Sequence, residues 1–315
     1  MFLKDFNGYE ENLQLYGGNA GRKLGINING ENWLLKFPKS TRNLTTPVNI
    51  SYTTSPLSEY LGSHVYKILG YKVHDTELGL KDRKLVVACK DFTDEKHILK
   101  EFREIKNYYN DKLENMLEVS ITGSDDDAHY TSLDALIIHL KYNPILQSVE
   151  GCTERFWDCA VIDGIINNND RNNGNWGLIQ DLDDNTYSLA PIYDNGGSFN
   201  NKLSEKEFSN RISSEEAMQK SALNTVTSYA LHDKILTYKK LLELGNDDLN
   251  ASVLRVYPLF TERFGEICDL IDSIPDQENE IAIISKPQKE FYIRSMKLRI
   301  EQMLKPKYQT MKVEV

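Results

Sequence analysis

Three side chains in one stretch carry oxygen donors at a spacing that chemistry can use. They are Asp170, Asn175 five residues later, and Asp194, which lies 24 residues beyond Asp170. Carboxylate and amide oxygens are the donors that a hard cation such as Mg2+ selects. A carboxylate beside such a cation can also orient a hydroxyl for attack on a phosphate. Far upstream, Lys36 adds a positive charge near the end of an apolar run, Trp33-Leu34-Leu35-Lys36-Phe37. That run is preceded by a glycine-rich turn with two cations, Gly17-Gly18-Asn19-Ala20-Gly21-Arg22-Lys23. Glycines let main-chain N–H groups approach phosphate oxygens without side-chain obstruction.

These groups act only if regular elements hold them. Phe156, Ala160, Val161, Gly164 and Ile165 recur at helical spacing, which predicts a buried helix leading into the Asp170 stretch. From Asn167 to Asn175, seven of nine residues are Asn or Gly, which favour turns and tolerate left-handed backbone. Trp176–Ile179 and Tyr187–Ile192 then read as two short strands joined by an acidic turn, so a polar loop opens onto a hairpin. Upstream, Leu24–Ile28 and Glu31–Phe37 flank Asn29-Gly30, a two-residue hairpin signal. Strand alternation puts Lys36 on the face opposite Trp33, Leu35 and Phe37. Leu57, Leu61, Val65 and Ile68 mark a helix stopped by Gly70. Its one carboxylate, Glu59, sits about 200° from Leu57 around the axis, off the apolar stripe. Leu85–Phe92 reads as a further apolar strand.

After residue 90 the character becomes helical. Phe102, Ile105, Tyr109, Leu113 and Met116 mark one helix, and Leu133, Leu136, Ile137 and Leu140 another. The triplet Asp125-Asp126-Asp127 between them lacks the alternating ligands and turn glycine of an EF-hand loop and reads as a solvated loop. Asn200–Ser228 is polar, holds Ser204, Ser209, Ser213 and Ser214, and shows no clear periodicity before Glu215. Two apolar stripes close the sequence: Val253 to Ile274, ending at Pro275, and Ile293 to Met303, ending before Pro306.

Composition narrows the function classes. Over 315 residues, 40% hydrophobic content with 10% aromatics is that of a globular chain. A formal net charge of −10 argues against nucleic acid as a partner. Cys89, Cys152, Cys159 and Cys268 show no zinc-type spacing and read as reduced thiols. The first residues have no apolar signal segment, and no apolar run reaches membrane-spanning length, so the expectation is a cytoplasmic, soluble product with no integral membrane association.

Several blocks, in order, resemble the HipA-like serine/threonine kinases: Tyr16–Lys23, Leu35–Pro38, the helix around Glu59, Leu85–Asp91, Asp163–Gly177 and Leu189–Phe199. The resemblance implies an α+β, two-lobed protein-kinase-like fold, with a β-rich N-lobe over residues 1–90 and a mainly helical C-lobe over 91–315. It implies ATP and Mg2+ as cofactors, with the nucleotide in the cleft between the lobes. By the same resemblance, the phosphates lie beneath Gly17, Gly18, Asn19, Ala20, Gly21, Arg22 and Lys23. Lys36 neutralises their charge, Glu59 fixes Lys36, and Ala88, Cys89 and Lys90 receive adenine. Asn175 and Asp194 hold the metal, while Asn172 and Tyr193 flank them in the nucleotide set. Asp170 orients a Ser or Thr hydroxyl of a protein substrate, which includes the chain itself, and Asp163 braces the loop. The stretch from Asn200 to Ser228 takes the place of an activation segment.

Two departures from the family pattern bear on function. The family commonly has His at the third position of its Asp-x-His loop start, where this sequence has Asn172, which hydrogen-bonds but does not titrate near neutrality. HipA itself carries an additional amino-terminal segment without a counterpart here, so its toxin–antitoxin role is not carried over. The resemblance also implies a bacterial effector delivered by a route without a signal peptide. Two alternatives stand beside the protein kinase. One is a phosphatidylinositol kinase of the related type II 4-kinase group, against which stands the lack of a Cys cluster or basic amphipathic anchor. The other is a non-enzymatic ATP-binding interaction protein.

Overall fold

The computed structural model describes residues 2–12, 21–42, 44, 46–121 and 130–313. Gly17, Gly18, Asn19 and Ala20 of the glycine-rich turn, and the Asp125–Asp127 triplet, lie outside the described residues. The chain forms two compact units, each assembled from interleaved stretches. The first takes Met1–Phe92, Asn195–Leu223 and Leu259–Arg299, and the second takes Thr93–Asp194, Asn224–Pro258 and Ile300–Val315.

In the first unit, the order across a five-stranded sheet is Lys4–Asp5, Thr76–Lys81, Lys84–Lys90, Glu31–Lys36, Lys23–Ile28. All neighbours are antiparallel except Lys4–Asp5, which runs parallel to Thr76–Lys81. Asn29 and Gly30 both take positive φ, the backbone that the tight two-residue hairpin requires. Trp33, Leu35 and Phe37 enter a core with Phe6, Ile26, Ile28, Val86 and Ala88, so Lys36 faces the other way. The helix Ser55–Ile68 follows, and Gly70, at φ +91°, ends it by giving its N–H to Lys67.

The stretch from Asn200 onward departs from the sequence reading. Helices occupy Glu205–Ile212 and Glu215–Leu223, and the strand Val226–Leu231 follows. Ser204 starts the first helix with a capping box: its side chain accepts from the Glu207 N–H, and Glu207 accepts from the Ser204 N–H. Phe208 is buried against Phe291 and Tyr292 of the helix Lys286–Arg299.

The second unit is built on the helix Cys152–Ile166, buried almost all round, with Phe156, Trp157, Ala160, Val161, Ile162, Ile165 and Ile166 nearly inaccessible. Gly164 lets the Tyr238 ring lie directly on this helix, since a Cβ there would sit 2.0 Å from a ring carbon. The Tyr238 hydroxyl donates to the Val161 carbonyl at 3.1 Å. The predicted hairpin is present as Gly177–Asp181 paired antiparallel with Tyr187–Leu189, and His97–Glu101 adds a third strand. The final stripe does not stop before Pro306: a π-helical turn at Ile300–Leu304 carries the chain into a helix at Lys305–Val313, where proline occupies the second position. The helical run is continuous from Lys286, so Pro306 lies inside it, just after the π-helical turn. Among the described residues no helix is long and apolar enough to cross a membrane.

Candidate active site

In the first unit, Lys36 Nζ donates to Glu59 Oε2 at 2.9 Å. Glu59 is only 1% exposed although it stands off the apolar stripe of its helix. The explanation is a second stripe: Ser55, Ser58, Glu59, Gly62 and Ser63 recur at three- and four-residue intervals, and all are buried. Small side chains let the chain segment at Asn195 close over this face. A Cβ on Gly62 would lie 2.7 Å from the Asn195 Cβ.

The other carboxylate oxygen, Glu59 Oε1, accepts from His74 Nε2 at 3.0 Å and from the Asn195 main-chain N–H at 2.9 Å. Ser63 Oγ lies 3.2 Å from the same His74 nitrogen and accepts from Asn195 Nδ2 at 3.0 Å. Burial alone would favour the neutral acid, but the Lys36 ammonium and the His74 N–H outweigh it and hold the Glu59 carboxyl well below the usual carboxylate range. Cys89 adds a thiol to this buried neighbourhood, its sulfur within 4.8 Å of ligand-type atoms of Glu59 and His74.

The remaining first-unit residues are spread around the sheet. Gly21 has φ +84°, the Arg22 guanidinium lies 4.4 Å over the Phe37 ring, and Lys23 pairs with Lys36 in strand register. Ala88 and Cys89 sit in mid-sheet with strand partners on both sides. Lys90 closes that strand, giving its main-chain N–H to Asp75 and its ammonium to Glu31 at 2.6 Å.

The second unit holds the Asp170 loop. Asn167, left-handed at φ +54°, ends the helix Cys152–Ile166 and releases the chain into the turn. Beneath the loop, Asp163 receives the Arg171 guanidinium on both oxygens, at 2.8 and 3.1 Å, and the Asn168 amide at 3.0 Å. Arg171 also donates to the carbonyls of Asn175, at 2.9 Å, and Tyr193, at 2.6 Å. One buried cation thus fastens both ends of the loop–hairpin stretch to the helix. The sequence reading missed Arg171 because an arginine among asparagines looks solvated; its place in Asp-Arg-Asn-Asn was the available signal.

Within the loop the asparagines brace one another. Asn172 accepts from the Gly174 N–H at 2.9 Å and donates its amide to Asp170 Oδ1 at 3.3 Å. Asn175 donates its side-chain amide to the Asp170 carbonyl, which leaves the amide oxygen as an acceptor. Thr131 holds Asn173, and Tyr193 Oη donates to the Gly174 carbonyl at 3.1 Å. Trp176 stacks on Phe102 with ring centroids 4.4 Å apart, which seats the loop's exit. Asp194 has φ +56°, an uncommon backbone for a residue other than glycine, asparagine or aspartate.

An ion-paired strand lysine, and an Asp/Asn loop opening onto a hairpin with Asp194 five residues beyond it, are what a protein-kinase-like phosphotransferase would use. The comparisons agree. No family model matches the sequence. The chain is 31% identical over 264 residues to the serine/threonine-protein kinase CtkA of Helicobacter pylori strain J99, a match that spans 82% of this chain and 75% of that one. The crystal structure of the H. pylori proinflammatory kinase CtkA superposes with a TM-score of 0.82 and 28% identity, over 98% of this chain and 97% of that one. The HipA of Shewanella oneidensis MR-1, solved in a toxin–antitoxin complex with HipB and operator DNA, shares the fold alone. That match has a TM-score of 0.54 and 12% identity over 98% of this chain and 70% of that one. The chain belongs to the family of the serine/threonine-protein kinase CtkA, and its enzyme class is that of a serine/threonine-protein kinase.

Proposed function

We propose that the chain transfers the terminal phosphoryl group of MgATP to Ser or Thr hydroxyls of proteins, its own included. The donor set fits that cofactor. Asp170, Asn175 and Asp194 offer hard oxygen donors, and the Asn175 amide is turned so that its oxygen is the end left to accept. Lys36 supplies a cation held in place by its buried partner Glu59. When bound, MgATP supplies the phosphoryl group and ADP as leaving group.

The protein's own residues then divide the work. Lys36, held by Glu59, would face phosphate charge together with Gly21, Arg22 and Lys23. Asn175 and Asp194 would hold Mg2+. Asp170 accepts the hydrogen bond of the acceptor hydroxyl and aims its oxygen for in-line attack. Asp170 would take up the proton that the hydroxyl gives up on transfer. Asn172 has the role of orienting Asp170 through its 3.3 Å contact. Adenine is assigned to the Lys90 end of its strand, because Ala88 and Cys89 are committed to the sheet.

The observation that carries this reading is the internal bracing of the Asp170 loop by Asn172, Asn175 and Arg171, which fixes a carboxylate in advance of substrate. The test is incubation of the purified chain with radiolabelled ATP and Mg2+, a panel of proteins, and vesicles containing phosphatidylinositol, followed by phosphoamino-acid analysis. Label on Ser or Thr that disappears with EDTA is expected. Label confined to the lipid, or none on any protein, would overturn the reading.

A further inference from the structure

His74 precedes the Thr76–Lys81 strand, in a segment to which the sequence reading assigned no function, yet it is buried and touches the buried Glu59 carboxylate. Its Nε2 meets Glu59 Oε1 at 3.0 Å and Ser63 Oγ at 3.2 Å. The same Glu59 oxygen takes the N–H of Asn195, and the same Ser63 oxygen takes the Asn195 side-chain amide. Asn195 is therefore gripped at backbone and side chain, and it is the residue directly after Asp194. The opposite Glu59 oxygen holds Lys36 at 2.9 Å.

We propose that His74 and Ser63 are positioning residues that, through Glu59 and Asn195, set the Lys36 ammonium and the backbone following Asp194 as one unit. The inference rests on the kinase reading above for the roles of Lys36 and Asp194. A carboxylate buried this deeply needs its donors, because a charged group without them is costly away from water. Without the His74 N–H, Glu59 Oε1 keeps Asn195 as its remaining partner in this node, and the carboxylate turns to recover a donor. That turn disturbs Lys36 on one side and the Asn195 peptide on the other. Ser63 prevents the Asn195 side chain from following. Gly196 makes room for the arrangement, since a Cβ there would approach Glu59 Oε2 to 3.3 Å.

Two readouts on the full chain test this. The first is kinetic: kcat and the KM for ATP in wild type, His74→Leu, His74→Gln and Ser63→Ala. Loss of the donor should lower kcat on the order of 10²-fold with little change in KM, the signature of misplaced rather than absent groups. His74→Gln, whose amide N–H reaches about as far as Nε2, should recover most of that loss, and Ser63→Ala should fall between. The second is amide hydrogen exchange at Asn195, which reads the node without reference to catalysis. It should quicken on the order of tenfold in His74→Leu and remain slow in His74→Gln. If His74→Leu does not fold, His74→Asn replaces it, since its amide is too short to reach Glu59. Equal behaviour of the short or apolar variant and His74→Gln, in either readout, would overturn the proposal. A wild type that labels no acceptor, with exchange behaving as expected, would instead sink the kinase reading and leave the node standing.

Discussion

Glu59 collects its partners from distant parts of the chain, Lys36, His74 and Asn195, while Asp170 sits in a loop whose bonds mostly join residues two to five apart. Each region holds a functional group still, but by different physics. The first buries a charge and surrounds it with donors, so removing any donor leaves an expensive orphan. The second uses mostly local bonds from asparagine side chains for shape, above a buried ion pair of Arg171 with Asp163. The expected division is that the Glu59 node couples parts to one another and the Asp170 loop is preassembled from within.

The largest effect on stability should come from cutting the charge beneath the loop. Arg171→Ala strands a buried carboxylate and releases the carbonyls of Asn175 and Tyr193, and should cost about 3–5 kcal/mol in chemical denaturation. A loss below about 1 kcal/mol would mean that the loop braces itself without Arg171.

The next effect contrasts two buried histidines. His74 faces a carboxylate, whereas His139 is held between neutral amides: Asn143 donates to its Nδ1 at 3.1 Å, and its Nε2 meets Asn110 Oδ1 at 3.4 Å. Burial, helped by nearby Lys106, pushes the His139 pKa down to about 4. The unfolded chain therefore takes up a proton first as pH falls. Stability should be intact above about pH 6.5 and decline by roughly 2–3 kcal/mol on the way to pH 4. Denaturant midpoints across that range, with His139→Gln as comparison, check this; a slope unchanged by the substitution would remove His139 as its source.

A smaller effect sharpens the account of the Glu59 helix. Gly62→Ala puts a methyl 2.7 Å from the Asn195 Cβ and should cost about 1–3 kcal/mol by overpacking, with phosphotransfer falling alongside. Gly245→Ala, where a Cβ meets nothing within 4 Å, is the control and should change neither. Equal melting of the two variants would show that the approach of Asn195 to this helix carries no strain.

The same contrast explains what the sequence disclosed. The Asp170 loop, its helix and its hairpin were legible because their determinants are local: helical spacing from Phe156, an asparagine-rich break, then alternating strands. Lys36 was legible because strand alternation fixes its face. The burial of Glu59 was not, because an apolar-stripe reading ignores small polar residues, and the Ser55–Ser63 pattern acquires meaning only when Asn195 returns to cover it. Ser63 was invisible for the same reason, since its partner Asn195 lies more than a hundred residues away, and His74 was invisible because the carboxylate it meets read as solvated. The helix after Ser204 was missed although Ser204, Glu207 and Phe208 spell a capping box and an anchor; the polar composition around them hid the signal. Strands recur after residue 90, and the return of the chain to the first unit at Asn195 and Leu259 left no signal in the hydrophobic pattern.

The central claim is that Asp170 is the carboxylate that orients the acceptor hydroxyl. Phosphate transfer from radiolabelled ATP should be measured for wild type and Asp170→Asn in parallel, with melting temperature and nucleotide affinity recorded on the same preparations. The account predicts a loss on the order of 10³-fold in transfer, with folding and nucleotide binding retained. Unchanged turnover in Asp170→Asn would contradict it and remove Asp170 from the mechanism.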